Sequence, residues 1–319
     1  MTRRDVFGLL RAVLSSAAMF IAGGIVPVVG ALATMLAPVP LMLFAIGYPR
    51  AQLRVAIAIA LAAGLIGAGA GLIAAGVFLV TAGLAAGIMS YMLARRYPFE
   101  VITACTAGAL IVSGAVAAIL AAGSASALSD SLRANLLLAL DNGQKFYKSA
   151  GLDTVLQPDM RATIVDGTIK LFPALATMSA AVTVLMNLGL FWRLGGCQER
   201  VGYPLFGDLV RWSAPEWLIW ALLATGFGLF IPMKVLSTIA LNCFICLVAV
   251  YFCQGLAIMA FYFRVLAMPA LARGLIYFVT SVQPVLAILV CAAGVLDLWI
   301  DFRRLRSPSQ EARNLGDFL

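Results

Sequence analysis

Long unbroken apolar stretches constrain this chain more than any other feature. They lie at about 12–47, 52–94, 99–122, 169–194, 215–231, 234–264 and 266–302. A bilayer crossing takes about 20 residues, and only helices or closed barrels satisfy their backbone groups inside lipid. Barrel strands alternate apolar and polar residues, whereas these runs are continuous. Charged residues make up only 11% of the 319, and the mean hydropathy is +1.03. A soluble domain carries roughly twice that charge. The fold class that follows is all-α: a polytopic integral membrane helical bundle.

Basic residues punctuate the runs. Arg3, Arg4 and Arg11, then Arg50 and Arg54, Arg95 and Arg96, Arg193, Arg200 and Arg211, and Arg303, Arg304 and Arg306 all flank apolar segments. Placing them in the cytoplasm makes 12–47 and 52–94 fold back on themselves. Pro27 and the Pro38-Val39-Pro40 pair mark the break in the first, and the glycine-rich Gly64–Gly76 stretch marks it in the second. The pair 215–231 and 234–264 forms another hairpin around Pro232-Met233-Lys234. The run 266–302 doubles back near Ser281-Val282-Gln283-Pro284, with halves short enough to be re-entrant. The chain is therefore expected to be one transmembrane domain, 1–319, with about eight full helices in a range of roughly seven to ten. Both termini are expected in the cytoplasm, in a bacterial cytoplasmic (inner) membrane. The net charge of +8 is accounted for by these loops and calls for no nucleic acid.

The segment 123–168 differs in kind. Arg133, Lys145, Lys148 and Arg161 balance Asp130, Asp141, Asp153, Asp159 and Asp166, and Leu128, Leu132, Leu136 and Leu140 recur every four residues. That pattern predicts an extracytoplasmic amphipathic linker of one or two helices.

Several chemistries are absent. There is no histidine, which removes most zinc sites, Ser-His dyads and histidine proton relays. No P-loop, H-E-x-x-H or G-x-S-x-G pattern is present. Of the six cysteines, Cys243, Cys246 and Cys253 lie on one long apolar run, among Leu241, Phe244, Ile245, Leu247 and Val248. They are expected to be buried small hydrophobes. No metal and no cofactor is expected. Arg3-Arg4 ahead of an apolar run and Ala31-Leu32-Ala33 imitate an export signal, but the apolar stretch runs on too long, so it is read as a retained membrane segment.

Small residues crowd 56–88, with Gly67/Gly71 and Gly83/Gly87 four apart. This spacing brings helix backbones into contact, in internal packing or on a partner-docking face. Polar groups in the runs are few: Asn187, Asn242, Gln254, Gln283, and the pair Asp297 and Asp301 near the end of the last run. A carboxylate near hydrocarbon costs about 2.5–3.5 kcal/mol on insertion scales, so it persists where it is paired or used. Asp301 has Arg304 three residues on, within reach of a local ion pair. Asp297 is one turn deeper with Ala293 and Gly294 one turn back, so its partner is expected from another helix, water or a ligand. Gly255, next to Gln254, allows a ligand or helix to approach that amide. Pro215-Glu216, among Trp212, Trp217 and Trp220, reads as a helix start in an interfacial belt.

Pro215-Glu216-Trp217, then Asn242 with Tyr251 and Gln254-Gly255-Leu256-Ala257, then Gly294-Val295-Leu296-Asp297-Leu298-Trp299 and Phe302-Arg303 resemble the uncharacterised YybS-like membrane proteins. Pro38-Val39-Pro40 before a basic loop fits the same pattern. That family is similar in outline to the substrate-binding S components of energy-coupling-factor vitamin transporters, although this chain has several more apolar segments. The resemblance covers most of the chain. It implies a non-enzymatic, transport-related membrane protein that binds a small solute in a helix-lined cavity and draws energy from separate ATPase and coupling subunits. Asn242, Gln254 and Asp297 are the candidate ligand contacts. A non-transporting scaffold or assembly factor docking a partner on 56–88 is the first alternative. A lipid-modifying enzyme using Asp297 or Glu216 as a base is the second.

Overall fold

The computed structural model describes residues 3–25, 27–46, 50–149, 158–194 and 202–303. These residues are helical with connecting turns and contain no strand. The chain is a multi-pass helical bundle, grouped into two compact units, residues 1–206 and 207–319.

The first unit contains α1 (Arg3–Ile25), α2 (Pro27–Met35), α3 (Pro38–Ala45), α4 (Ala51–Ala70), α5 (Leu72–Ala94), α6 (Phe99–Ala122), α7 (Ala125–Ser149) and α8 (Pro158–Leu194). Prolines set the break between α2 and α3: Pro38 starts α3, where a missing N–H costs nothing. This helix is apolar all round, and Leu41, Met42 and Ala45 are fully buried, as expected of a helix enclosed by others. Polar groups tie its surroundings together. The Ser16 hydroxyl donates to the Ala37 carbonyl (2.8 Å), and Asn187 Nδ2 of α8 donates to the Met35 carbonyl (2.8 Å).

Gly71, with φ of +93°, ends α4 and starts α5 within the predicted glycine-rich turn. Only glycine takes such a φ without strain. Gly83 and Gly87 pack on Ile59 of α4, Gly83 so closely that a Cβ would lie 3.0 Å from Ile59 Cγ2. At Gly76 the corresponding space is open.

In α7, Leu128, Leu132, Leu136 and Leu140 are the half-buried stripe on an otherwise mostly exposed helix. Arg133–Asp166 and Arg161–Asp141 pairs join α7 to α8. Such exposed pairs contribute about 0–1 kcal/mol each. The helix α8 begins at Pro158, well before the apolar run, because Pro158 and Asp159 are favourable first-turn residues.

Tyr203 and Phe206 contact residues of the α5–α6 turn and its surroundings. Tyr203 donates its hydroxyl to the Tyr97 carbonyl (2.8 Å), and Phe206 packs on Phe99 and Trp192 at 5.4 and 6.3 Å. Burial pushes the Tyr203 phenol up to about 12, against the opposing effect of Arg96.

The second unit contains α9 (Leu218–Gly228), α10 (Lys234–Val265), α11 (Ala270–Val282) and α12 (Pro284–Ile300). Gly226 faces Phe244 and Gly228 faces Ala240, so α9 folds back along α10 as expected. Helix α9 starts after a Pro215–Trp217 turn and is only about 16 Å long, too short to cross. The break in 266–302 falls at Gln283–Pro284, where α11 and α12 meet at 101°.

Six described helices are long and apolar enough to cross a bilayer, and the bent pair would make a seventh. Counted with the bent pair, this is the lower end of the expected range of seven to ten. Within 12–47, α1 alone has the length, because prolines cut the remainder into α2 and α3, and 215–231 holds only α9. One correction concerns the cysteines. Cys243 and Cys253 lie on the outer surface of α10, and Cys246 is half-buried, so these thiols are not core residues. Cys197 and Arg304, and with Arg304 the expected Asp301 ion pair, lie outside the described residues.

Two outcomes follow. Gly83→Leu should lower the unfolding free energy in detergent by about 1–3 kcal/mol through overpacking, while Gly76→Leu stays near wild type. Because the folded Tyr203 pKa lies above its ordinary value of 10, its contribution is fully present below pH 10 and is lost as pH rises through about 12. Thermal melts of wild type and Tyr203→Phe across that window should converge at the alkaline end.

Candidate functional site

The end of α12 builds the most polar buried point of the second unit. Asp301 takes a left-handed conformation (φ 45°, ψ 60°) and stops the helix. Asp adopts this region more readily than most residues with a Cβ. The reversal turns the following residues back onto Asp297. The Phe302 backbone N–H donates to Asp297 Oδ1 (3.1 Å), and Arg303 Nη2 donates to Asp297 Oδ2 (2.6 Å).

Two further elements converge there. Gln254 Nε2 of α10 donates to Asp297 Oδ2 (3.2 Å), and Gln254 Oε1 accepts from the Ala214 backbone N–H (3.1 Å). Arg303 Nη1 donates to the Val210 and Trp212 carbonyls (3.0 and 2.8 Å). Arg303 and Gln254 are each 3% exposed and Asp297 is 7% exposed. A charge so deeply enclosed is stable only with its opposite beside it.

Glycine makes the convergence possible. A Cβ on Gly255 would collide with the Val290 carbonyl, and one on Gly294 with the Tyr251 carbonyl. The close approach foreseen at Gly255 is thus made by a helix of the same chain, α12. Tyr251, Ala214 and Ile219 form the small core beside it, with Trp212, Val295 and Leu298 packed around.

Of the three candidate ligand contacts, the fold brings Gln254 and Asp297 together and leaves Asn242 elsewhere. Asn242 Nδ2 donates to the Thr238 carbonyl in its own helix (2.8 Å). Both carboxylate oxygens of Asp297 accept hydrogen bonds from the chain. It is therefore arranged to hold the 210–214 segment and the end of α12 together. Its cation comes from six residues downstream. Helical spacing conceals that pairing, because it needs the reversal at Asp301.

A different cavity, of about 330 Å³, opens in the first unit. Asp5, Arg11 and Ser15 of α1 and Arg54 of α4 supply its polar edge; Met19, Val39, Leu43, Phe44, Leu190 and Leu194 supply its apolar wall. Arg54 donates to Asp5 Oδ1 (3.1 Å), both side chains being about one-fifth exposed. Its guanidinium also stands 5.6 Å over the Phe44 ring, a cation–π contact. The basic clusters around Arg11 and Arg54 hinted at this site, since both were assigned to one end of the bundle. The apolar wall from α3 and α8 could not be read from the sequence.

A family profile described as a predicted membrane protein (DUF2232) matches residues 14–298. The chain belongs to this family. The match takes in both units, from α1 to the residue after Asp297. No curated protein and no solved structure matches the chain.

In this DUF2232 member, Asp297→Asn removes the charge that balances buried Arg303 and should cost about 3–5 kcal/mol. Asp301→Asn keeps a residue type that tolerates the left-handed conformation and should stay within about 0.5 kcal/mol of wild type. Unfolding curves in one detergent distinguish the two; equal losses would refute the role assigned to Asp297.

Proposed function

We propose that this protein is a solute-binding component of a transport system in the bacterial cytoplasmic membrane, resembling the S component of an energy-coupling-factor transporter. It binds without chemical conversion, both termini face the cytoplasm, and separate ATPase and coupling subunits supply the energy. One observation carries this reading: the cleft bounded by α1, α3, α4 and α8. Its volume of about 330 Å³ falls at the lower end of the range for small-molecule sites, roughly 300–1,000 Å³. An apolar wall with a few converging polar groups is the usual composition of such sites.

The lining also indicates a solute class. Arg11 and Arg54 against the single acid Asp5 leave the edge net positive, which favours an anionic solute with an apolar body. In this reading Gln254 and Asp297 keep residues 207–303 folded, and Asn242 secures its own helix.

A second reading, a scaffold or assembly factor, draws on the 56–88 region. Gly64, Gly69 and Gly76 have open space where a Cβ would stand, which leaves room for another helix. A stable protein complex that survives loss of the solute would favour it.

Native mass spectrometry of gently extracted protein is the test. Wild type should retain a small anionic compound, Leu43→Trp should eject it by filling the cleft, and Arg54→Gln should weaken retention about tenfold, the magnitude of one charge-assisted hydrogen bond. Retention unchanged in Leu43→Trp would overturn the assignment.

A further inference from the structure

The end of α10 and the half-helix α11 flank an open cavity of about 360 Å³ in the second unit. Its walls include Ala260, Phe263, Arg264, Arg273, Gly274 and Tyr277. The Phe263 ring is buried and stands edge-on to Tyr277 at 5.2 Å, giving an aromatic floor. The rim is basic. Arg264 is exposed and pairs with Asp208 at 3.3 Å, and Arg273, also exposed, has no ion-pair partner among the described residues. Two cations against one acid leave the cavity net positive.

The opposite side of α11 is different. Leu271, Leu275, Phe278 and Val282 follow one another at helical spacing and are 87%, 61%, 65% and 63% exposed. They form a single outward stripe, while Arg273 and Tyr277 lie across the helix from it. Gly274 sits between the two sides, and nothing lies within 4 Å of where its Cβ would be. It leaves a gap from the basic cavity to the apolar stripe. Tyr262, near the end of α10, donates its hydroxyl to the Phe302 carbonyl (2.9 Å), so the cavity beside Arg264 stands at the same end of this unit as the end of α12, a helix-end position where basic residues meet lipid headgroups.

We propose that Arg264, Arg273 and the Tyr277 hydroxyl bind the phosphate of an anionic phospholipid at this end of the unit. The lipid's glycerol and first chain segments pass over Gly274, and its acyl chains join the hydrocarbon around Leu271, Leu275 and Phe278. Guanidinium groups suit this task because their planar donors match phosphate oxygens two at a time. This site is separate from the solute cleft and does not depend on it.

The test uses the full-length purified protein in detergent. Phosphatidylglycerol and phosphatidylcholine of identical chains are titrated in, and retained lipids are counted by native mass spectrometry. Wild type should retain phosphatidylglycerol preferentially. Arg264→Gln and Arg273→Gln should each weaken that retention about fivefold, the effect of one basic residue near an anionic surface, and the double variant should show no preference. Lysine at both positions should restore part of it. Gly274→Phe, which leaves both arginines in place but blocks the gap, should also lose the lipid, so the result does not hang on charge variants that fold poorly. Arg133→Gln on α7 should behave as wild type. An undiminished preference in the double variant, or in Gly274→Phe, would overturn the proposal. Displacement of the lipid by millimolar inorganic phosphate would overturn it too, assigning the site to a free anion.

Discussion

Lipid exerts no hydrophobic force between helices, because its tails are as apolar as leucine. Close backbone contact and a few buried polar bonds must therefore hold each unit together. Glycines stand where that contact is close: Gly30 against the Ala22 carbonyl, and Gly255 and Gly294 where α10 and α12 meet. A single methyl at either of the last two would strike a carbonyl of the facing helix. Dispersion gained over such short separations falls steeply with distance, so small residues at these crossings matter more than large apolar ones elsewhere.

The buried polar groups are used in the same economical way. Asn187 spends its Nδ2 group on the α2 terminus in the first unit, and Asp297 accepts from both Arg303 and Gln254 in the second. The Asp297–Arg303 pair is a specifying contact more than a stabilising one, since an apolar replacement of both could be equally stable. What it specifies is where the chain from Val210 to Ala214 runs, because Arg303 and Gln254 each hold a backbone group of that segment.

Charge also edges a cavity in each unit. Arg11 and Arg54 edge the cleft of the first unit, and Arg264 and Arg273 edge the cavity beneath α11. In both places arginine stands beside an aromatic ring and an apolar wall, a setting suited to anions that carry a hydrophobic body. A chain with so few charges has little reason to concentrate them except for topology and for such partners.

The amino-acid pattern alone determined the all-helical membrane fold, since continuous apolar runs leave the backbone no other way to satisfy its hydrogen bonds in lipid. It also determined the reversal at Gly64–Gly76, the break at Gln283–Pro284 and the leucine stripe of α7, which are local matters of φ, missing N–H groups and helical period. The number of full-length helices was less legible, because prolines in an apolar run do not say whether the pieces on either side still span. The site residues were legible only in part. Asp297 and Gln254 stood out as costly groups needing partners, but their meeting depends on two helices packed through glycine, and the Arg303 contact depends on one left-handed residue that reverses the chain. Periodicity along a helix carries no information across such a reversal or between elements distant in sequence. Tertiary packing alone decided that Asn242 stays apart, that Arg303 balances Asp297, and that Asp5, Arg54, Phe44 and Leu190 share one cleft.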